Sequence, residues 1–369
     1  MTVPQQKQTP PTLTLDGQTV SYEPGETLYQ LAQRQQKEIP SLCYDPRLEP
    51  FGGCRLCAVE LDGVRNPVAA CTTPAAPGMV VRTTSARLEK LRHTLLEMVA
   101  SENRELAVDP LRGYASQELT ALLDRYDVKS DRFQGAKSGR SHLADDNPFI
   151  LRDYDLCISC YRCVRVCAEQ EGDFAISVMN RGFQTQISTE FNGNLKESAC
   201  TFCGQCLQTC PTGALADKKA MRAIGQAGQI GKNGKIDKTR TICPYCGVGC
   251  SVDLLTRNEK VIAVQPAMDG PANLGALCVK GQFAFDFVHH PDRLTTPLVR
   301  DEAGQLRPAG WDEALERAAA GFQAAVDNHG RHSVYGVASG RAPSEAAYLM
   351  QKFMRVGFGS NNIDNCSRA

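Results

Sequence analysis

Three cysteines crowd into the eight residues CPYCGVGC (243–250), and a fourth follows 27 residues later: Cys243-x2-Cys246-x3-Cys250-x27-Cys278. Three thiolates in one tight loop with a fourth arriving from far along the chain can enclose a cubane cluster, because each iron needs one outward-pointing cysteine. A four-cysteine zinc site usually reads as two separated C-x2-4-C knuckles, which this spacing matches poorly. Three more quartets precede it: Cys43-x10-Cys54-x2-Cys57-x13-Cys71, Cys157-x2-Cys160-x2-Cys163-x3-Cys167, and Cys200-x2-Cys203-x2-Cys206-x3-Cys210 followed by Pro211. Together they use 16 of the 17 cysteines and leave Cys366 over. Quartets of this kind are metal-type, better explained as thiolate ligands than as disulfides.

The elements that hold these cysteines must be small and several, because 369 residues give room for two to four compact units. Lys plus Arg equals Asp plus Glu, 41 each. A chain without net charge offers no broad electrostatic footprint for nucleic acid or anionic lipid, so proteins and small molecules are the expected partners. The first thirty residues hold neither a basic start before an apolar core nor a twin-arginine signal, and no later apolar run is long enough to span a bilayer. A cytoplasmic protein without membrane insertion is the expectation.

Residues 1 to 10 are polar and rich in Gln and Pro, and are expected to be disordered. Leu13 and Leu15, the turn pair Asp16-Gly17, then Val20 and Tyr22 predict a short antiparallel hairpin. Leu28, Leu31 and Ala32 then give one apolar helical face. Strand, strand, helix and then cysteines suggest a β-grasp domain, with Gly52 and Gly53 letting the backbone pass close to inorganic sulfide. Residues 128 to 148 read as a connecting loop. Residues 221 to 238 carry glycines and lysines but no Walker pattern, since Asn233 follows Gly231-Lys232, and read as a flexible linker. Near the end Leu315, Ala318, Ala319, Phe322 and Val326 share a helical face that stops at Gly330, residues 333 to 338 read as a buried strand, and another helix follows: one helix, strand, helix passage of an α/β domain.

The quartets carry resemblances. The stretch from Cys243 to Cys278 with Lys280, continued by HPDRLTTPLVR (290–300), resembles the cluster domain that opens the molybdenum or tungsten bis-pterin oxidoreductases. In that family the lysine after the fourth cysteine bridges cluster and pterin, which implies for Lys280 the role of electron relay; its plain alternative is a surface lysine. The quartet from Cys43 to Cys71 resembles the 2Fe-2S domain of the large iron-sulfur subunit of complex I, of NAD-dependent formate dehydrogenases and of some iron-only hydrogenases, with a zinc ribbon as the bland alternative. That family next carries a cluster bound by one histidine and three cysteines in the spacing His-x3-Cys-x2-Cys-x5-Cys. Here those positions fall on Asn103, Ala107, Pro110 and Ser116, so the segment is expected to keep a helical shape and hold no cluster. His93 nearby reads as a helix-surface residue. The two middle quartets repeat the bacterial two-cluster ferredoxin pattern, in which each fourth cysteine serves the other cluster: Cys157, Cys160, Cys163 and Cys210 for one, Cys200, Cys203, Cys206 and Cys167 for the second. The final SGRAPSEAAYLMQKFMRVGFGSNNIDNCSRA is similar to formate dehydrogenase catalytic subunits. Ser339, Gly340 and Arg341 lie where a strand's carboxyl end would bind a ligand, although turn chemistry alone also accounts for them.

The resemblance runs almost continuously over residues 11 to 369 and implies an α+β multidomain chain. Its parts are a β-grasp 2Fe-2S ferredoxin domain (11–88), a helical segment matching the histidine-and-three-cysteine cluster domain without ligands (89–127), a two-cluster 4Fe-4S ferredoxin domain (148–220), a 4Fe-4S domain of the bis-pterin family (239–297) and the truncated start of the α/β molybdopterin catalytic domain (298–369). It implies the amino-terminal part of a cytoplasmic formate dehydrogenase alpha subunit. Its cofactors would be one 2Fe-2S cluster, three 4Fe-4S clusters and, in the full-length protein, molybdenum or tungsten bis-molybdopterin guanine dinucleotide. Formate would be the substrate, and the partners a flavin- and NAD-binding diaphorase subunit and a small ferredoxin-like subunit. A non-catalytic electron-transfer subunit like the complex I homologue, or a zinc-dependent scaffold, would share the cysteines; a nitrate reductase seldom carries this run of ferredoxin modules.

An α/β domain that stops one helix after its first strand has no sheet to complete its core, so residues 298 to 369 are not expected to fold alone. By the resemblance, the metal-ligating cysteine or selenocysteine comes four positions after the match of Cys366, immediately after Ala369, which makes Cys366 a packed neighbour and leaves these residues catalytically incomplete by themselves. Selenocysteine is encoded by UGA, which gene calling reads as a stop. A chosen boundary or the edge of the sequenced DNA could also fall at Ala369; on the selenocysteine reading the expected DNA is UGA after the Ala369 codon, followed in frame by a His-containing segment and several hundred more codons, and UAA or UAG there sinks that reading.

Overall fold

Leu13 and Leu15 alternate with threonines, which puts both on one face of strand β1 (Thr12–Leu15), where they are buried. The chain turns at Asp16 and Gly17, whose φ values of 50° and 81° suit a two-residue hairpin, into β2 (Gln18–Ser21). In this computed structural model the described residues are 10–102, 117–129, 132–133, 147–228 and 236–366. They belong to two units, Met1–Gly225 and Gln226–Ala369.

In the first unit Thr27 and Gln30 form a reciprocal capping box that starts α1 (Leu28–Arg34), and the helix buries Leu28, Leu31 and Ala32. Strands β3 (Ala58–Leu61), β4 (Val68–Ala69) and β5 (Val80–Arg82) complete a sheet of order β2-β1-β5-β3-β4. Its β1 and β5 run parallel and its other pairs antiparallel, the β-grasp arrangement. Helix α2 (Ala86–Glu102) is tied to this sheet by Arg92. Its guanidinium, 2% exposed, donates to the carbonyls of Leu56, Ala58 and Thr83 at 3.3, 3.0 and 2.9 Å. His93 lies on the outer side of the helix, 3.4 Å from Glu97. The positions 103, 107, 110 and 116 fall outside the described residues.

Beyond them α3 (Glu118–Arg125) seats Leu119 in a core with Leu42, Leu56 and Leu96, and Ile158 packs against it. The ferredoxin-like part is framed by β6 (Ile150–Arg152). It continues through α4 (Arg162–Val166) with a π-helical turn at Cys167–Glu171, the hairpin β7 (Ser177–Met179) and β8 (Gln186–Ser188), and α5 (Gln205–Thr209). Strand β9 (Leu215–Asp217) pairs antiparallel with β6 and closes it. The expected linker at 221–238 is corrected in its first part: α6 (Lys218–Gly228) runs through it. Asp217 starts that helix by accepting from the N–H groups of Lys219 and Ala220, and KKAMRA supplies good helix formers. Part of the expected connecting loop at 128–148 is also structured, with Val128 packed on the Leu119 core and Asn147 buried.

In the second unit β10 (Asp237–Ile242), β11 (Ser251–Arg257) and β12 (Lys260–Pro266) form an antiparallel meander. Helix α7 (Val279–Phe283) follows, then the hairpin β13 (Leu298–Arg300) and β14 (Leu306–Pro308). Helix α8 (Trp311–His329) ends at Gly330, whose φ is 79°. The expected buried strand at 333–338 shrinks to β15 (Gly336–Ala338), and Val337 is 58% exposed. After α9 (Ser344–Gly357) a strand that the sequence reading missed, β16 (Ile363–Asn365), pairs parallel with β15. Two three-residue strands offer too little area to cover two amphipathic helices, so Leu315 and Leu349 remain exposed.

Because Arg92 satisfies three carbonyls with one buried charge, Arg92→Met strands those acceptors and is expected to cost about 3 kcal/mol. A lowered thermal midpoint by circular dichroism, with α2 losing protection in hydrogen exchange, is the expected result.

Candidate iron-sulfur centres

The first quartet is buried at Cys43, Cys57 and Cys71 and half-buried at Cys54. Cys57 and Cys71 place their sulfurs 3.3 Å apart. Backbone N–H groups point at the others: Leu42 donates to the Cys54 sulfur and Cys54 to the Cys43 sulfur, each at 3.4 Å. A proton shared between Cys43 and Cys54 lowers Cys54 to about 5, helped by backbone N–H donors, and raises Cys43. The turn at Gly52 takes φ 71° and aims its N–H at the Cys71 sulfur, so this glycine is demanded by backbone conformation as well as by close approach. A side chain at Gly53 would run into the Phe51 ring.

The two middle quartets repeat in conformation as well as in sequence. Left-handed residues flank the second cysteine of each: Ser159 (φ 53°) and Tyr161 (61°) around Cys160, Phe202 (55°) and Gly204 (79°) around Cys203. Such alternation folds successive N–H groups into a concave nest for anions. Accordingly Ser159 donates to the Cys157 sulfur and Phe202 to the Cys200 sulfur, each at 3.4 Å. Cys163 is acted on electrostatically most by Cys160, Cys157 and Cys210, and Cys206 most by Cys203, Cys200 and Cys167, with a weaker influence between Cys206 and the Cys163–Cys210 side. Cys157, Cys160, Cys163 and Cys210 line one cavity, together with Pro211 and Tyr154. Burial pushes Cys160 and Cys203 up to about 12, and Cys163 and Cys206 well above the ordinary range. Burial of this kind favours the protonated thiol until a cation takes the proton's place, and thiolate is the donor that iron takes. Among the described residues no three His, Cys, Asp or Glu side chains are gathered to hold a metal ion.

The fourth quartet sits at one end of the β10–β12 meander. The N–H of Cys243 donates to the Cys250 carbonyl at 2.8 Å and closes the loop. Asn273, which the sequence reading missed, clamps the loop's exit: its side chain accepts from the Ser251 N–H at 2.9 Å and donates to the Ala276 carbonyl at 2.9 Å, close before Cys278. Cys243 is buried, Cys246 and Cys250 are half-buried and Cys278 is exposed. Lys280 and Cys243 line a common apolar pocket of about 280 Å³ with Tyr245 and Phe287. Ser339, Gly340 and Arg341 are exposed in the turn after β15, where the Ser339 hydroxyl accepts from the Arg341 N–H at 3.0 Å and lies 3.5 Å from the Cys366 sulfur. The Ser344 hydroxyl donates to the Gly247 carbonyl at 3.2 Å, which brings the start of α9 to the cysteine loop.

Sequence reasoning also missed a polar seam between the first two cysteine regions, because its members carry no spacing signal. Burial alone would raise the Asp45 carboxyl, but hydrogen bonds from Arg47 and Thr209 bring it down to about 2. The Thr209 contact is 2.7 Å and buried, and it joins the loop after Cys43 to the residue before Cys210. The Arg165 guanidinium lies over the Phe51 ring, 5.3 Å from its centroid, and Phe51 meets the Tyr161 ring edge-on.

Family models match four consecutive stretches: a 2Fe-2S iron-sulfur cluster binding domain at 8–86, the ferredoxin-like domain of NADH-quinone oxidoreductase subunit 3 at 147–216, a molybdopterin oxidoreductase Fe4S4 domain at 236–290 and a molybdopterin oxidoreductase domain at 293–369. The chain is 34% identical over 359 residues to an NADH-quinone oxidoreductase subunit of Rhizobium meliloti, covering 96% of this chain and 40% of that one. It is 31% identical over 387 residues to a provisionally named formate dehydrogenase of Staphylococcus haemolyticus (96% and 39%), and 34% identical over 362 residues to the NADPH-Fe(3+) oxidoreductase subunit alpha of Geobacter sulfurreducens (96% and 40%). It thus spans about two fifths of the length of these relatives. A crystal structure of an NAD+-reducing NiFe-hydrogenase in the H2-reduced state matches with a TM-score of 0.51 at 30% identity, over 56% of this chain and 87% of that one. With its 2Fe-2S, ferredoxin-like, Fe4S4 and molybdopterin domains in that order, the chain fits the molybdopterin oxidoreductase family, led by ferredoxin modules of the complex I kind.

Proposed function

We propose that this chain is the electron-transfer and cofactor-proximal portion of a cytoplasmic formate dehydrogenase, carrying electrons towards an NAD-reducing partner. The observation that carries the reading is the pairing of Lys280 with Cys243 at one pocket in the domain that matches the molybdopterin oxidoreductase Fe4S4 model. When bound, the molybdenum- or tungsten-pterin centre supplies the two-electron, one-proton oxidation of formate, and the clusters supply one-electron carriers. Cys243, Cys246, Cys250 and Cys278 would hold a 4Fe-4S cluster, and Lys280, which lines one pocket with Cys243, would serve as the electron relay between cluster and pterin. Cys157, Cys160, Cys163 and Cys210 hold a second 4Fe-4S cluster, and Cys200, Cys203, Cys206 and Cys167 a third. Cys43, Cys54, Cys57 and Cys71 hold the 2Fe-2S centre. Ser339, Gly340 and Arg341, exposed in the turn after β15, would offer contacts to the pterin. A flavin- and NAD-binding subunit with a small ferredoxin-like subunit forms the electron exit, a reading supported by the NAD-linked and complex I names among the similar proteins. Among the described residues no helix is long and apolar enough to cross a membrane.

The second reading, a non-catalytic electron-transfer subunit, is favoured by the 34% identity to the Rhizobium meliloti NADH-quinone oxidoreductase subunit. Formate separates the two. Anaerobically purified full-length protein is expected to contain roughly 14 irons, from one 2Fe-2S and three 4Fe-4S centres. It is also expected to yield extractable pterin and to bleach near 400 nm on adding formate. About 18 irons would mean a fifth cluster, at the segment where Asn103, Ala107, Pro110 and Ser116 stand in place of the histidine and three cysteines. Clusters reduced by NADH through a partner, with no pterin and no response to formate, would establish the second reading. Lys280→Met is expected to slow formate-driven bleaching roughly 10- to 100-fold at unchanged iron content; an unchanged rate removes Lys280 from the path.

A further inference from the structure

Arg162 stands between Cys160 and Cys163 and is 5% exposed. Its backbone N–H donates to the Cys160 sulfur. Its side chain turns to the other end of the same cysteine group, where Nη1 donates to the carbonyl of Thr209, the residue before Cys210, at 3.2 Å. Arg162 is therefore tied to the two ends of the Cys157, Cys160, Cys163 and Cys210 group, by its backbone N–H at Cys160 and by its guanidinium beside Cys210. Its counter-ion comes from a third element: Glu118, at the start of α3, accepts from Nη1 with both carboxylate oxygens at 2.9 Å. The pair is lopsided, with the Arg162 side chain 7% exposed and that of Glu118 43% exposed. The buried Nε finds no hydrogen-bond partner among the described residues. A buried cation with a half-solvated counter-ion leaves net positive charge on the protein side of the pair, since water screens the carboxylate far more than the guanidinium.

We infer that Arg162 and Glu118 set the reduction potential of the centre held by Cys157, Cys160, Cys163 and Cys210, with Arg162 raising it and Glu118 moderating that effect. Taking up one electron adds one negative charge to the centre, and net charge and hydrogen bonding around the sulfurs are among the levers that place a cluster on the potential scale. Helix α3 then has a redox role although it lies in the segment that matches the histidine-and-three-cysteine cluster domain without its ligands. Its Leu119 N–H holds the Pro211 carbonyl at 3.1 Å and so fixes where Glu118 sits. The inference rests on the ligand reading above, and iron content separates the two.

The opposite signs expected for the two partners are the test, because loss of a merely structural ion pair would disturb the site in the same direction from either side. EPR-monitored potentiometric titration with dithionite, on the anaerobically purified full-length protein, reads the midpoints. Arg162→Met is expected to shift one 4Fe-4S midpoint down and Glu118→Gln to shift the same one up by less. Arg162→Lys, which keeps the charge, stays close to wild type. Wild-type protein short of one 4Fe-4S centre by iron and EPR count defeats the ligand reading itself. With all centres present, unmoved midpoints, or shifts of the same sign in Arg162→Met and Glu118→Gln, overturn the inference. If Arg162→Met fails to assemble the centre, the sign of the Glu118→Gln shift decides alone.

Discussion

Thiols cannot be buried against one another as thiolates unless a cation joins them, and the polypeptide around each quartet is shaped by that constraint. No helix or strand offers four side chains to one point, so the cysteines arrive from turns and element ends. Ser159, Tyr161 and Phe202 accept left-handed backbone that non-glycine residues avoid at a cost of roughly 1–2 kcal/mol each. The return is a set of N–H groups turned towards sulfur, which no regular element could provide there. At the first quartet Gly52 does the same with no steric cost.

The modules of the first unit are joined by a hydrophobic and a polar device. Leu42 and Leu56 from the cysteine loops, Leu96 from α2 and Leu119 from α3 make a core against which Ile158 of the ferredoxin-like part packs. Beside it Asp45, Arg47 and Thr209 form a buried polar contact, extended by Gln170 donating to the Arg47 carbonyl at 2.6 Å and by Glu169 accepting from the Glu49 N–H at 2.8 Å. Apolar packing gives the seam its area, while paired charges permit one register, since an unpaired Asp45 at 6% exposure would cost several kcal/mol. Relative motion of the two cysteine regions is thereby resisted.

The second unit is uneven in the same terms. Around the meander Val252, Val264 and Leu277 bury Cys243, and Gln282, 2% exposed, donates to the Val264 carbonyl at 2.8 Å to pin α7 and with it Lys280. In α8, α9 and the β15–β16 pair, Leu315, Tyr348 and Val356 are 61%, 62% and 78% exposed. Phe322 and Phe353 reach Phe358 edge-on at 5.3 Å, a small aromatic contact in place of a broad core.

Much of this was legible in the chain because the signals were local. The hairpin at Asp16-Gly17, the face of α1 and the stop of α8 at Gly330 follow from turn chemistry and periodicity within a few residues. The cysteine spacings named the kind of group, since ligand type is a property of composition and order. The extent of α6 was misjudged because its glycines weighed more in the reading than the helix start at Asp217, and β16 was missed because three residues carry too short an alternation to see. What only the tertiary structure decided is which polar residues near the cysteine loops pair with one another: Arg92 with the Leu56 carbonyl, Asp45 with Thr209, Glu118 with Arg162, Asn273 with Ser251. Each of these joins residues remote in sequence with no repeating spacing between them. A buried charge finds its partner through the packing of whole elements, and that packing is a property of the assembled core which no local pattern along the chain records.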